Sequence, residues 1–213
     1  MRTLLWSNPK TIGYLEKELY SGGVVLAEGD TVLGLLADLS QKGHAQLDHI
    51  KNRSKKPYLI LVGDRKKALQ LIDNDRYKRF QIEKLMNICW PGPVTLIFHA
   101  KPGLTWYSKS VDGTVALRVP DHAGLLQLLE NFDGLFSTSA NSAGELVPST
   151  MQQVDSAIKS AVACAVVHDD NTAVQSSVPS TIIDCTGERM VVVRQGAFDV
   201  DILTDMMSSS VLV

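Results

Sequence analysis

Short apolar runs alternate with polar, glycine-bearing breaks along most of the chain, and two periodicities predict interleaved strands and helices. "GVVLAEG" and "LGLLADL" read as strands joined at Gly29–Asp30, and "PYLILVG", "VTLIFHA" and "TVALRVP" read as three more. "GLFSTS", "ACAVVHD", "STIIDCT" and "MVVVRQG" have the same character. Between them, apolar residues recur at helical spacing. In "SNPKTIGYLEKELYSGG", Ser7 or Asn8 caps a helix, Pro9 suits its first turn and Gly22–Gly23 stop it. Ser40 opens a helix that turns Leu47 and Ile50 inward and ends near "KNR". Asp64 caps a short helix, and an amphipathic one runs from about Asp75 to Cys89, where "WPGP" breaks it. "AGLLQLLENF" and the segment from about Met151 to Ala161 are helices, and "KPGLTWYSKSVDG" is a loop. The tail "MMSSSVLV" offers no evident docking partner and is expected to be mobile.

Strands and helices mix without the strict alternation of a doubly wound sheet. The expected architecture is one mixed α/β (α+β) domain over residues 1–213, with a twisted sheet that includes antiparallel pairs. Hydrophobic residues make up 45% of the chain, enough for a sizeable core. Lysines and arginines number 21 against 23 acidic residues, a formal charge of −2. A molecule so balanced is no electrostatic nucleic-acid binder as a whole, and any anion site must be a local cluster. The cysteines Cys89, Cys164 and Cys185 are odd in number and widely spaced, which argues against a disulfide framework or a zinc site and fits a reducing compartment. "MRTLLWSNPK" has too short an apolar run for a signal peptide, and no window holds 18 consecutive apolar residues. A cytoplasmic protein without a membrane partner is expected.

Charged residues sit where they are costly. Arg118 interrupts the apolar strand "TVALRVP" and Arg194 interrupts "VVVRQGA", while Lys51, Arg53, Lys55 and Lys56 crowd "IKNRSKKP". Each arginine, taken alone, reads either as a solvated position on a pleated strand or as a group aimed into a cleft. Hydroxyls recur beside these cations: Thr114, Ser149 and Thr150, Ser180 and Thr181, and the row Ser137, Thr138, Ser139 and Asn141 in "FSTSANS". Short polar side chains after a strand can cap a turn or line a site for an oxygen-rich ligand. If cations and hydroxyls converge, they suit phosphate or carboxylate.

Other chemistries lack their signatures. There is no GxxxxGK[ST] and no GxGxxG, so neither a P-loop nor a dinucleotide fingerprint is present. The five histidines show no metal-ligand spacing, and "FSTSANS" lacks the GxSxG elbow of a serine hydrolase. Trp90 reads as a core aromatic ahead of a rigid turn.

"GDTVLGL", "KNR", "WPGPVTLIF", "TVALRVP", "STSAN", "PSTIID" and "VVRQGA" occur in this order over about residues 20–197. Each is weak alone, but the ordered set resembles the YrdC-like family of threonylcarbamoyl-adenylate synthases, in its short single-domain form. The resemblance implies an α/β twisted open sheet with parallel and antiparallel strands, and a concave, positively lined cavity. It implies synthesis of threonylcarbamoyl-AMP from L-threonine, bicarbonate and ATP, with release of pyrophosphate. The product would serve tRNA threonylcarbamoyl-transfer proteins that modify adenosine 37. ATP would be a substrate, any Mg²⁺ would arrive with it, and no tightly bound metal is expected.

Carried over by motif, the resemblance makes Lys51 and Arg53 the catalytic cations near the phosphates. Thr31, Arg118, Ser139 and Ser180 become threonine contacts, with Arg118 on the carboxylate. Lys51, Arg53, Lys56, Thr114, Asn141, Ser149 and Arg194 become nucleotide contacts. The family's first motif is P-T-[DE]-T-V-Y-G-L; here Glu28, Gly29 and Leu33 replace its proline, first threonine and aromatic, which would reshape the threonine end of the pocket. Ser54 replaces a frequent proline, and the second basic position falls at Lys56 or Pro57 according to the gap. Two alternatives follow. One is a protein that binds tRNA or double-stranded RNA without catalysis, and the other is a paralogue that adenylates a different carbamate. For a synthase, RNA contact is expected to be weak.

Overall fold

The computed structural model describes residues 1–52, 57–103, 112–142, 144–169 and 178–213. Its centre is a ten-stranded mixed sheet among the described residues. The strands are β1 (Arg2–Leu5), β2 (Val25–Ala27), β3 (Gly34–Asp38), β4 (Leu59–Leu61), β5 (Val94–His99), β6 (Thr114–Arg118), β7 (Leu135–Ser139), β8 (Cys164–Val167), β9 (Thr181–Asp184) and β10 (Val191–Arg194). Their spatial order is β1-β8-β2-β3-β7-β4-β6-β5-β9-β10. β8 pairs in parallel with β1 and β2, β4 with β6, and β5 with β9; the remaining neighbours are antiparallel. The expected mixed α/β class with both kinds of pairing is therefore what the chain adopts.

Side chains alternate across each strand, so every strand divides its residues between two faces. Leu35 and Ala37, Ile60, Val94, Leu96 and Phe98, Val115 and Leu117, and Ile183 enter one core. That core is covered by α2 (Gln41–Lys51), α3 (Arg65–Leu71), α4 (Arg79–Cys89), α6 (Ser156–Ala161) and α7 (Thr204–Met207). On the other face, Val25, Leu36, Leu61, Leu135 and Val166 pack against Leu15 and Leu19 of α1 (Thr11–Tyr20) and Leu125, Leu128 and Leu129 of α5 (Ala123–Leu129). Beyond these two helices, residues of β4, β5, β6 and β9 on that face line a hollow.

Local signals set most helix starts. Ser40 Oγ accepts from Gly43 N at 3.0 Å, Asp64 from Lys67 N at 2.8 Å and His122 Nδ1 from Leu125 N at 3.0 Å. Each satisfies one of the donors a first turn leaves unpaired. Trp90 is buried, with its indole N–H donating to Val94 O at 2.7 Å.

Five segments depart from the sequence-based expectation. β1 is a strand that no apolar run announces, because it forms by pairing with β8, far along the chain. Lys10, without a side-chain cap, precedes α1, while Asn8 Oδ1 accepts one bond earlier, from Lys10 N at 3.0 Å. α4 begins at Arg79 rather than near Asp75: Tyr77 lies extended, its ring is buried against Phe98 and its hydroxyl accepts from His99 N. The segment after Thr150 is a 3-10 turn at Met151–Gln153, then buried, extended Val154, then α6 capped by Asp155. The tail expected to be mobile is docked instead. Val211 is 1% exposed, Leu212 bridges to Tyr77, and Val213 N donates to Arg76 O at 3.1 Å.

Candidate functional site

The hollow encloses about 380 Å³. The alternation that buries Leu117 on one face of β6 turns Ala116 and Arg118 to the other, and Thr95 and Ile97 of β5 follow the same rule. Ile97, Ala116, Ile182, Leu36 and Leu59 form an apolar floor. The rim is polar: Gly29–Thr31 from the β2–β3 connection, Ser137–Ser139 from β7, Ser180 ahead of β9 and Arg194 at the end of β10.

Arg118 is 4% exposed. Its Nη2 is hydrogen-bonded and ion-paired to Asp30 Oδ1, and its Nη1 donates to Thr31 Oγ1 at 2.9 Å. Asp30 Oδ2 also accepts from Asp121 N at 2.9 Å. Among the described residues, Arg118 Nε is buried with no hydrogen-bond partner. Burial pulls the guanidinium below the usual arginine value, Asp30 opposes that shift, and the charge of Arg194 adds to it. Arg118 and Arg194 line the same hollow although they come from β6 and β10.

Arg194 Nε and Nη2 both donate to Ser180 O, at 3.1 and 2.7 Å. Ser180 Oγ lies 2.8 Å from Thr95 Oγ1 and 3.3 Å from Arg194 Nη2. A guanidinium, two hydroxyls and a strand entry thus lock into one corner. The net charge of −2 belongs to the whole molecule; here two guanidiniums face one carboxylate.

The polar row after β7 is held from behind. Lys51, 3% exposed at the end of α2, points its ammonium at Ser139 O (2.7 Å), Asn141 O and Asn141 Oδ1 (3.1 Å). Ser139 Oγ donates to Asn141 Oδ1 at 2.5 Å, and Asn141 Nδ2 to Glu145 O at 2.6 Å. Lys51→Met keeps the length of the stem but leaves these acceptors without their cation. It is expected to lower stability by about 1.5–3 kcal/mol, the worth of hydrogen bonds to a charged group. Urea unfolding measures the loss; wild-type stability would mean that the loop holds itself.

Thr31, Arg118, Ser139, Ser180 and Arg194 thus line one hollow, and Lys51 and Asn141 stand directly behind its wall. Thr114 shares the Arg118 face of β6 but is not in the lining, and it donates to Asp112 Oδ1 at 2.7 Å. Ser149 is also outside the lining, bonded to Gln153 Oε1 at 2.9 Å. Arg53 and Lys56 lie outside the described residues. Two further residues emerge only from the fold: Asp30, which holds Arg118, and Thr95, which holds Ser180. "GDT" put Asp30 beside a candidate threonine, but nothing local says that a carboxylate there meets an arginine 88 residues away. Of the motif departures, Gly29 lines the hollow, whereas Leu33 is buried in the opposite core.

A model of the Sua5/YciO/YrdC family, described as telomere recombination, matches residues 17–196. A putative threonylcarbamoyl-AMP synthase of Methanocaldococcus jannaschii is 28% identical over 193 residues, which cover 90% of this chain and 88% of that protein. A threonylcarbamoyl-AMP synthase of Photorhabdus laumondii is 36% identical over 124 residues, 57% of this chain and 65% of its own. Among solved structures, P. abyssi Sua5 complexed with L-threonine superposes with a TM-score of 0.85 at 22% identity, over 98% of this chain and 61% of that one. This chain therefore spans less than two thirds of that Sua5. E. coli YciO superposes with a TM-score of 0.76 at 20% identity, over 93% and 96% of the two chains. Both superpositions establish the fold.

Proposed function

The chain belongs to the Sua5/YciO/YrdC family, whose curated relatives are named for a nucleotidyl-transferring enzyme, and on that premise we propose that it makes L-threonylcarbamoyl-AMP. The amine of L-threonine attacks bicarbonate or CO₂ to give a carbamate, releasing water or a proton. A carbamate oxygen then attacks the α-phosphorus of ATP, the bond to the bridging oxygen breaks, and pyrophosphate leaves. Charge grows on phosphoryl oxygens in this step, so fixed cations are its natural catalyst.

The observation that carries this reading is that Arg118 and Arg194, from different strands, line one hollow together with Thr31, Ser139 and Ser180. Like charges gathered in a partly desolvated space repel, and an anionic ligand between them relieves that cost. In the proposed arrangement Arg118 receives the threonine carboxylate, beside Thr31. Arg194 and Arg53 face the nucleotide phosphates, and Ser139 and Ser180 orient the reactants. Lys51, which also holds the Ser139–Asn141 wall, stands on the nucleotide side with Asn141, Thr114, Ser149 and Lys56. Mg²⁺ would come bound to the triphosphate and keep most of its waters.

The hollow's volume suits small reactants rather than a nucleic-acid duplex, which needs many phosphate contacts over a wide surface. The product would pass to the proteins that modify adenosine 37 of tRNA, in the cytoplasm. Among the described residues no helix is long and apolar enough to cross a membrane. The deciding experiment measures pyrophosphate release from ATP with threonine and bicarbonate, each omitted in turn. All three are expected to be required. Release with another amino acid in place of threonine would point to the paralogue, and salt-sensitive RNA binding without release would point to a binding protein.

A further inference from the structure

An arginine side chain is long and flexible, and Arg118 shares its hollow with a second cation that repels it. Its position therefore needs a cause outside its own strand. Consecutive residues of the β2–β3 connection supply one: Asp30 takes Nη2 and Thr31 takes Nη1 at 2.9 Å. The Asp30 carboxylate is itself fixed, because its second oxygen accepts from the backbone N–H of Asp121, three residues beyond Arg118, at 2.9 Å. In the sheet, β3, β7 and β4 separate β2 from β6, so this clasp ties together two sides of the hollow's rim. Both terminal nitrogens carry a bond from the clasp, while Nε has no partner among the described residues.

We propose that Asp30 is the positioning residue of this site, fixing the plane of the Arg118 guanidinium and so the edge that an amino-acid carboxylate meets. The substrate assignment within this inference rests on the functional reading above; the positioning itself does not. Two effects of Asp30 oppose each other. As an anion it weakens the pull of Arg118 on a second carboxylate, so by Coulomb's law alone its removal would tighten binding. As an anchor it holds a directional fork against repulsion from Arg194, so its removal would loosen binding. Bidentate recognition depends on the geometry of the fork, and the second effect dominates.

The test compares Asp30→Asn with Asp30→Glu, which keeps the carboxylate. Asp30→Asn is expected to raise the KM for threonine about 10- to 100-fold, the range of one charge-assisted contact, with the KM for ATP held within about twofold. Asp30→Glu is expected to recover most of the loss. A fall in the threonine KM would show that Asp30 only competes for Arg118, and an equal rise for both substrates would show a general structural role; either overturns the inference. A second readout needs no substrate: the Arg118 Nε–H proton resonance, assigned by its disappearance in Arg118→Lys. It is expected to exchange slowly in the wild type and fast in Asp30→Asn, and unchanged exchange overturns the inference. If the wild type releases no pyrophosphate with threonine, the functional reading fails, and this resonance still decides for or against Asp30.

Discussion

Arg118→Ala is expected to destabilise the fold by about 3–5 kcal/mol, the cost of stranding one member of a buried ion pair. Asp30 would keep the Asp121 N–H but lose its cation, in a pair whose side chains are only 5% and 9% exposed. Thr31 Oγ1 would lose its donor as well. Threonine-dependent pyrophosphate release is expected to fall by more than about 100-fold, since the carboxylate contact and the clasp disappear together. Chemical denaturation and a turnover assay on the same preparation separate the two losses. Adding Asp30→Leu to Arg118→Ala removes the orphaned charge and is expected to recover much of the stability and none of the activity. Wild-type stability in the single variant would mean that the ion pair contributes nothing.

Gly196→Ala is expected to damage the Arg194 corner through the backbone. A Cβ at this position would stand 2.2 Å from Pro179 O and 2.5 Å from Ser180 C and Thr181 N. Those atoms belong to main chain fixed on both sides: Thr181 N donates to Pro93 O at 2.9 Å, and Ala197 N donates to Pro179 O at 3.0 Å. They cannot swing aside as a flexible side chain would, so the overpacking cost falls toward the upper end of about 1–3 kcal/mol. The segment that must move carries the Ser180 carbonyl gripped by Arg194 and the Ser180 hydroxyl that meets Thr95. The KM for ATP is therefore expected to rise at least about tenfold, the smallest effect of a displaced charge-assisted contact. Gly187→Ala is the control: the nearest atom to its Cβ would be Arg189 O at an ordinary 3.5 Å, so it should stay within about 0.5 kcal/mol of wild type. Equal behaviour of the two variants would show that the close approach at Gly196 is not limiting.

What the sequence made legible was local. An arginine inside "TVALRVP" and another inside "VVVRQGA" were visible because strand periodicity makes a charge there expensive, and both line the hollow. The hydroxyl row after "GLF" is legible because short polar side chains follow a buried strand at once, and Ser137–Ser139 form part of the rim. The illegible features depend on distant pairing. Asp30 finds Arg118 because β2 and β6 meet across three intervening strands, and no local spacing encodes that distance. The contacts of the Lys51 ammonium with backbone and side-chain oxygens about 90 residues on are equally non-local, and the residue type does not announce them. β1 and the tail are obscured likewise: "RTLL" and "VLV" are short, and distant partners, among them β8, Tyr77 and Arg76, make them structure.

The central claim is that cations and hydroxyls scattered along the chain converge on a single hollow that takes an amino acid beside a nucleotide. Its most direct test is a crystal structure with L-threonine and a non-hydrolysable ATP analogue bound. The predicted map shows the amino-acid carboxylate on Arg118 and the triphosphate beside Arg194, in one continuous cavity. Ligands seated on separate faces of the sheet, or away from both arginines, would contradict it.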